Sequence, residues 1–225
     1  MRNSLADCEA DAIAVIDDDE SIRKALVRMI GVAGFNVRAF SSAQEFLDDV
    51  HYRDISCVVS DLRMPGVDGL ALQRVLAESL PHVAMVFITG HADVSAGVHA
   101  MKAGAVDFLE KPIKRAELFD AIDRASRTSR AAKSRAAELA DLEHRHARLT
   151  PREREVFGLV AAGLLNKQIA AELGVAEKTV KQHRGVVMEK MEAESLADLV
   201  LMGERLGVRA TGVDLSKARG RIAAS

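Results

Sequence analysis

The chain has 225 residues and is 48% hydrophobic, enough to bury one large core or two small ones. It has no Trp and only 4% aromatic residues, so its cores must be aliphatic. Net charge is −2, but residues 1–123 hold 12 Lys and Arg against 20 Asp and Glu, and residues 124–225 hold 19 against 13. An acidic half joined to a basic half suggests two tasks, the basic one facing an anion such as nucleic acid; chance unevenness is the plain alternative.

The amino end, MRNSLADCEADA, carries acids where a signal peptide needs an apolar stretch. No apolar run approaches the roughly 20 residues that span a bilayer. Cys8 and Cys57 form no spacing pattern, which argues against a disulfide framework or zinc site and fits a reducing compartment. The expectation is a soluble cytoplasmic protein with no membrane partner.

In chain order, apolar runs predict strands at Ala12–Ile16, Val37–Phe40, Ser56–Ser60, Ala84–Ile88 and Val106–Leu109. Helical spacing lies between them: Ile22, Leu26, Met29 and Ile30; then Leu70, Leu72, Val75 and Leu76; then Val94, Val98 and Met101. Ser42 with Glu45 three residues on reads as a capping box, and Gly34 and Gly104 fall where helices should end. Five strands alternating with helices predict a parallel, doubly wound sheet covered on both faces.

Residues 113–148 read as helix. Leu118, Ile122, Ala125, Ser129, Ala132, Ala136 and Leu139 recur at alternating steps of four and three, a weak seam because most of its members are small. It is either a linker that helps dimerise or a solvated helix. From Leu149 the chain reads as all-α. Thr150 with Glu153 is a capping box with Pro151 at the first helical position. Short and long helices follow at 166–173 and 177–191, separated by a turn at Gly174, and Ser195 with Asp198 opens a last helix. The tail from Arg209 has no period and is expected to be mobile.

Chemistry concentrates at the strand ends. Asp17-Asp18-Asp19, Asp61, Thr89 and Lys111 each follow an apolar strand, and such ends gather along one edge of a doubly wound sheet. Carboxylates there suit a hard divalent cation. Asp61 is the candidate nucleophile, Asp17 and Asp18 supply the further carboxylates, and Thr89 and Lys111 can bind phosphoryl oxygens. Gly90 leaves room for a phosphate, and Lys111-Pro112 suits a cis peptide. Asp19 reads as a helix N-terminal charge rather than a ligand.

The segments VIDDDESIRKAL, VVSDLRMPGVDGL, VFITGHADV and VDFLEKP resemble the receiver domain of two-component response regulators over residues 10–125. The resemblance implies a CheY- or flavodoxin-like fold and phosphotransfer from a sensor histidine kinase to Asp61. It implies Mg²⁺, with Mn²⁺ able to substitute, held by Asp18, Asp61 and the Arg63 backbone carbonyl, with Asp17 acting through water. Thr89 and Phe108 would be the switch pair, and Arg63 and His91 would tune phosphate lifetime. Phosphatases that form aspartyl phosphates place an acid two residues after the nucleophile; position 63 is Arg, which argues against such an enzyme. Only self-phosphotransfer and autodephosphorylation are expected.

The helices at 166–173 and 177–191 have helix-turn-helix proportions. Leu173, Val175, Val180 and Val187 would bury one face, leaving Lys178, Lys181, Gln182 and Arg184 on the other, with Gly185 adding little bulk. A solvated charged face is the plain alternative. His183, at core spacing after Val180, reads as packed rather than as a metal ligand. The segment LTPREREVFGLVAAGLLNKQIAAELGVAEKTVKQHRGVVMEKM resembles the LuxR-type output domain, over residues 148–207, so that the whole arrangement is similar to the FixJ/NarL regulators. By that resemblance Lys178, Thr179, Lys181, Gln182 and Arg184 lie at the major groove of double-stranded promoter DNA, and Asn166, Lys167 and Lys190 near phosphates.

The expected organisation is a receiver at 10–125, a helical linker at 126–147, a DNA-binding domain at 148–207 and a tail at 208–225. The expected function is phosphorylation-controlled transcription. Phosphate would promote a homodimer over Val94, Val98, Met101 and Lys102, with RNA polymerase as a further partner. The rival reading is an adaptor whose receiver controls a protein partner.

Overall fold

The computed structural model describes residues 12–90 and 94–208. It divides into two compact units, Met1–Ser134 and Arg135–Ser225. His91, Cys8 and the tail from Arg209 lie outside the described residues.

The first unit is a five-stranded parallel sheet. Its strands are β1 (Ala12–Ile16), β2 (Val37–Phe40), β3 (Ile55–Asp61), β4 (Ala84–Thr89) and β5 (Asp107–Glu110), in the order β2-β1-β3-β4-β5. Parallel pairing demands crossovers, supplied by α1 (Glu20–Val32), α2 (Ala43–Asp48), α3 (Gly69–Ser79) and α4 (Val94–Lys102). The long helix α5 (Arg115–Ala147) begins in this unit.

Alternate strand residues enter two separate cores. Ala14, Ile16, Val58, Met85 and Phe87 pack with Phe46, Leu72, Leu76 and Ala100 from α2, α3 and α4. Ile13, Val15, Val59, Val86 and Ile88 pack with Leu26, Ile30, Leu118, Ile122 and Ala125 from α1 and α5. Burial on both faces explains why β1, β3 and β4 read as near-continuous apolar runs.

Local chemistry fixes the connections. Asp19 caps α1 by accepting from the Ser21 and Ile22 amides at 2.8 and 3.1 Å. Gly34 and Gly104 take φ of 91° and 94° after their helices. Ser42 accepts from the Glu45 amide at 3.1 Å, but the expected capping box is incomplete. The Glu45 carboxylate instead accepts from the Ser41 amide and hydroxyl, both at 2.6 Å, because Ser41 offers it two donors at once.

Helical spacing also misplaces one residue of α3: Val75 is 41% exposed, while Gln73 is 5% exposed. Gln73 belongs inside because its Nε2 donates to the Ala100 carbonyl at 3.1 Å, tying α3 to α4.

The second unit holds the end of α5 with α6 (Pro151–Ala161), α7 (Asn166–Leu173), α8 (Glu177–Met191) and α9 (Leu196–Arg205). Its core contains Leu142, Val156, Phe157, Val160, Ile169, Val180, Val187, Met191 and Leu199. The seam of α5 does not stay buried: Ala136 and Leu139 are exposed. Gly174, at φ 64°, turns α7 into α8.

Glu153 completes a capping box with Thr150 and is buried. Lys190 of α8 donates to both of its carboxylate oxygens, at 2.9 and 2.7 Å. That bond, with the Thr150 amide adding, holds the Glu153 carboxyl below its ordinary value of 4.5. A lowered folded pKa stabilises above the unfolded value and loses that contribution as pH falls through the folded one. Glu153→Gln is therefore expected to cost about 1–2 kcal/mol at pH 7, with the difference from wild type shrinking below about pH 4.5. Hydrogen exchange at the α6 amides across pH checks this; a pH-independent difference would contradict it.

Candidate phosphoryl site and nucleic-acid interface

The sheet order reverses between β1 and β3, and ligands of open α/β sheets bind at the carboxyl ends beside such a reversal. Asp17 follows β1 directly and Asp61 ends β3, so strand pairing alone brings the two carboxylates together. Asp18 completes a group in which one carboxylate oxygen from each acid lies within 4.8 Å of the others. Oxygen donors in that number match a hard divalent cation such as Mg²⁺.

Lys111 joins them from the end of β5, where its amide donates to the Thr89 carbonyl at 2.8 Å. Its Nζ donates to Asp17 Oδ2 at 2.9 Å and to Asp61 Oδ2 at 2.7 Å. The Lys111-Pro112 peptide is cis. Thr89 is buried at the end of β4. A Cβ on Gly90 would come no nearer than 3.8 Å to the Lys111 side chain, which leaves the approach open.

The two acids differ in environment. Asp17 is 1% exposed, and burial raises its pKa above the ordinary 3.8 against the opposing hydrogen bonds from Lys111 and the Asp19 amide. The Asp61 charge raises it further. Burial pulls Lys111 down, but its hydrogen bonds to Asp61 and Asp17 outweigh that and raise it above 10.5, so the ammonium stays charged. The half-buried Lys111 ammonium thus faces the carboxylates of Asp17 and Asp61, with Asp18 beside them, an excess of negative charge that a divalent cation would relieve.

The Asp61 side chain is 12% exposed and its Oδ1 accepts from the Arg63 amide at 3.2 Å, so its carboxylate is oriented yet reachable. Gly69 supports that placement. A Cβ there would fall 2.7 Å from the Asp61 carbonyl oxygen, so only glycine lets α3 begin so close under β3.

Phe108 lies on β5 opposite Phe87, two residues before Thr89 on the neighbouring strand. It is half-buried beneath α4, where a Cβ on Gly97 would meet its ring at 3.4 Å. On α4, Val98 and Met101 are each 46% exposed and Lys102 is exposed. The Val94 backbone begins this helix, but its side chain is not described.

In the second unit, Lys178, Lys181 and Gln182 are exposed on α8, and Thr179 and His183 are half-buried. Lys181 pairs with Glu177 at 3.7 Å. Lys167 is exposed on α7. Three other expected contacts have partners within the unit: Arg184 donates to Asn166 Oδ1 at 2.8 Å, and Lys190 is held by Glu153. Sequence reading passed over Val186 and Glu189, which are exposed alongside Lys181 and Gln182; helical spacing from Lys178 was the signal for them.

Comparison with known proteins agrees with both units. Residues 13–123 match the response regulator receiver domain, and residues 147–203 match the bacterial regulatory proteins of the luxR family. The chain is 47% identical over 198 residues to nodulation protein W of Bradyrhizobium diazoefficiens, covering 88% of this chain and 87% of that protein. It is 44% identical over 197 residues to the transcriptional regulatory protein FixJ of the same organism, covering 87% of this chain and 96% of that one. Among solved structures it is similar to response regulator StyR, with 41% identity, a TM-score of 0.72, and coverage of 87% of this chain and 99% of that one. Full-length FixJ from B. japonicum gives 43% identity, a TM-score of 0.52, and coverage of 88% and 97%. Among the described residues no helix is long and apolar enough to cross a membrane. A receiver that carries the acidic edge and a luxR-type unit that presents a basic helix place the chain in the FixJ/NarL family of two-component response regulators, which control transcription.

Proposed function

We propose that a sensor histidine kinase phosphorylates Asp61 in the cytoplasm and that the phosphoprotein dimerises on promoter DNA. The observation that carries this reading is the Lys111 ammonium bridging Asp17 and Asp61 at the sheet edge, with Asp18 beside them. An Asp61 carboxylate oxygen attacks the phosphorus of a phosphohistidine. An O–P bond forms, the P–N bond breaks, and the imidazole leaves with a proton.

Asp17, Asp18, Asp61 and the Arg63 carbonyl would hold Mg²⁺ or Mn²⁺, which supplies positive charge for the phosphoryl oxygens. Lys111 and the Thr89 hydroxyl bind the remaining oxygens. As Thr89 turns toward the phosphate, Phe108 moves into the space it leaves and the α4 surface changes. The reaction is self-phosphotransfer, reversed by hydrolysis.

In the output unit, α8 enters the major groove with Lys178, Lys181 and Gln182 toward base edges. Lys167 contacts backbone phosphate. Arg184 and Asn166 brace α7 against α8, and Lys190 braces α8 against Glu153, so these three act chiefly through the helix's position. RNA polymerase is a further partner. Lys181→Ala and Gln182→Ala are each expected to lose about 1–3 kcal/mol of binding to a cognate duplex and little to a scrambled one. Equal loss on both duplexes would demote them to phosphate contacts.

The test of the reading is selection of bound fragments from genomic DNA, with and without a small-molecule phosphate donor. Inverted half-sites enriched with the donor are expected. Recovery of no sequence above nonspecific background would favour the adaptor reading.

A further inference from the structure

The exposed face of α8 contains a residue that the folded chain does not require. Lys178, Lys181, Gln182, Gly185 and Glu189 are exposed and follow one another at helical steps. Gly185 is central in this stripe, well inside the 15-residue helix.

Three helical glycines have reasons within the fold, while Gly31, also exposed and with nothing near a Cβ, sits in the last turn of α1 rather than inside a helix. A Cβ at Gly203 would fall 2.4 Å from the Ala161 Cβ, and one at Gly69 would fall 2.7 Å from the Asp61 carbonyl oxygen. A Cβ at Gly97 would press on the Phe108 ring at 3.4 Å. A Cβ at Gly185 meets no atom within 4 Å. Its backbone is ordinary right-handed helix, since it is not among the residues of positive φ.

Neither space nor backbone conformation therefore calls for glycine at 185. Glycine inside a helix is less stable than alanine, because it gives up more backbone freedom on folding. Its remaining physical use is to let a backbone come close to something outside the chain. The neighbours say what that is: Lys181 and Gln182 lie one turn before it on the same face, as donors suited to base edges.

We infer that Gly185 is the point where α8 comes closest to the floor of the DNA major groove. Its missing side chain sets how deeply the helix seats. This rests on the reading of α8 as the DNA-contacting helix. Any side chain at 185 holds the helix away from the base edges and lengthens the contacts of Lys181 and Gln182 together. Phosphate contacts, which do not depend on depth, change little. Gly185 is thus a specificity determinant that acts by absence, and stability and recognition oppose each other there.

The experiment uses the full-length protein with a phosphate donor. Wild type first selects duplexes from a randomised pool. Wild type, Gly185→Ala and Gly185→Leu are then bound to a selected duplex and to a scrambled duplex of the same composition, and each variant is melted. Both variants should melt a few degrees higher than wild type, since both residues are better helix formers. Affinity for the selected duplex should fall about tenfold for Ala and further for Leu, following side-chain volume, because each good base contact is worth about tenfold or more. Affinity for the scrambled duplex should be unchanged. Variants that bind the selected duplex as wild type does would overturn the inference, as would equal losses on both duplexes or a lower melting point. Failure of the wild type itself to discriminate any duplex would instead overturn the reading of α8.

Discussion

Asp61→Asn is expected to reduce phosphate incorporation to background while leaving the fold intact. Asparagine nearly matches aspartate in shape but offers no anionic nucleophile. The variant removes the Asp61 charge that adds to the raised Asp17 pKa, and Asp17 still accepts from Lys111. The melting temperature should therefore hold or rise while labelling disappears. Incubation with a labelled small-molecule phosphate donor and Mg²⁺, with hydroxylamine release to identify an acyl phosphate, measures it. Wild-type labelling of the asparagine variant would place the phosphoacceptor elsewhere.

The second large effect belongs to α4. Val98 and Met101 are each about half exposed there, above the half-buried Phe108. Two such apolar side chains on one short helix, beside Lys102, suit a symmetric contact with a second copy. Val98→Asp would bring two like charges together across a two-fold axis. The variant should accept phosphate at Asp61 as wild type does, yet remain monomeric in sedimentation. Its affinity for a two-half-site duplex should fall by about 10² or more, because linking two binding units multiplies affinity on that scale. A monomeric phosphorylated wild type with raised DNA affinity would remove dimerisation from the mechanism.

The parts legible in the sequence were those set by local pattern. Strands buried on both faces must be apolar throughout, and each had to end where a polar group was needed. Asp17, Asp61, Thr89 and Lys111 therefore stood out, and parallel pairing brings Asp17 and Asp61 together. The caps at Asp19, Thr150 and Ser195 were readable because each is satisfied within four residues.

What escaped depends on partners far along the chain. Gln73 reads as a surface residue until Ala100, 27 residues later, accepts its amide. Lys190 reads as a free cation until Glu153 faces it, and Arg184 until Asn166 does. Even Glu45, with its partner in view, chose Ser41 over the expected box, since two donors outbid one.

The central claim is that negative charge at Asp61 controls DNA binding. Titration of a selected two-half-site duplex with full-length wild type and Asp61→Asn, each with and without a phosphate donor and Mg²⁺, tests it most directly. The account predicts that the donor raises wild-type affinity by at least about tenfold, as expected when two linked units bind together, and leaves the asparagine variant unchanged. Equal wild-type affinity with and without donor, or a donor response that survives in Asp61→Asn, would contradict it.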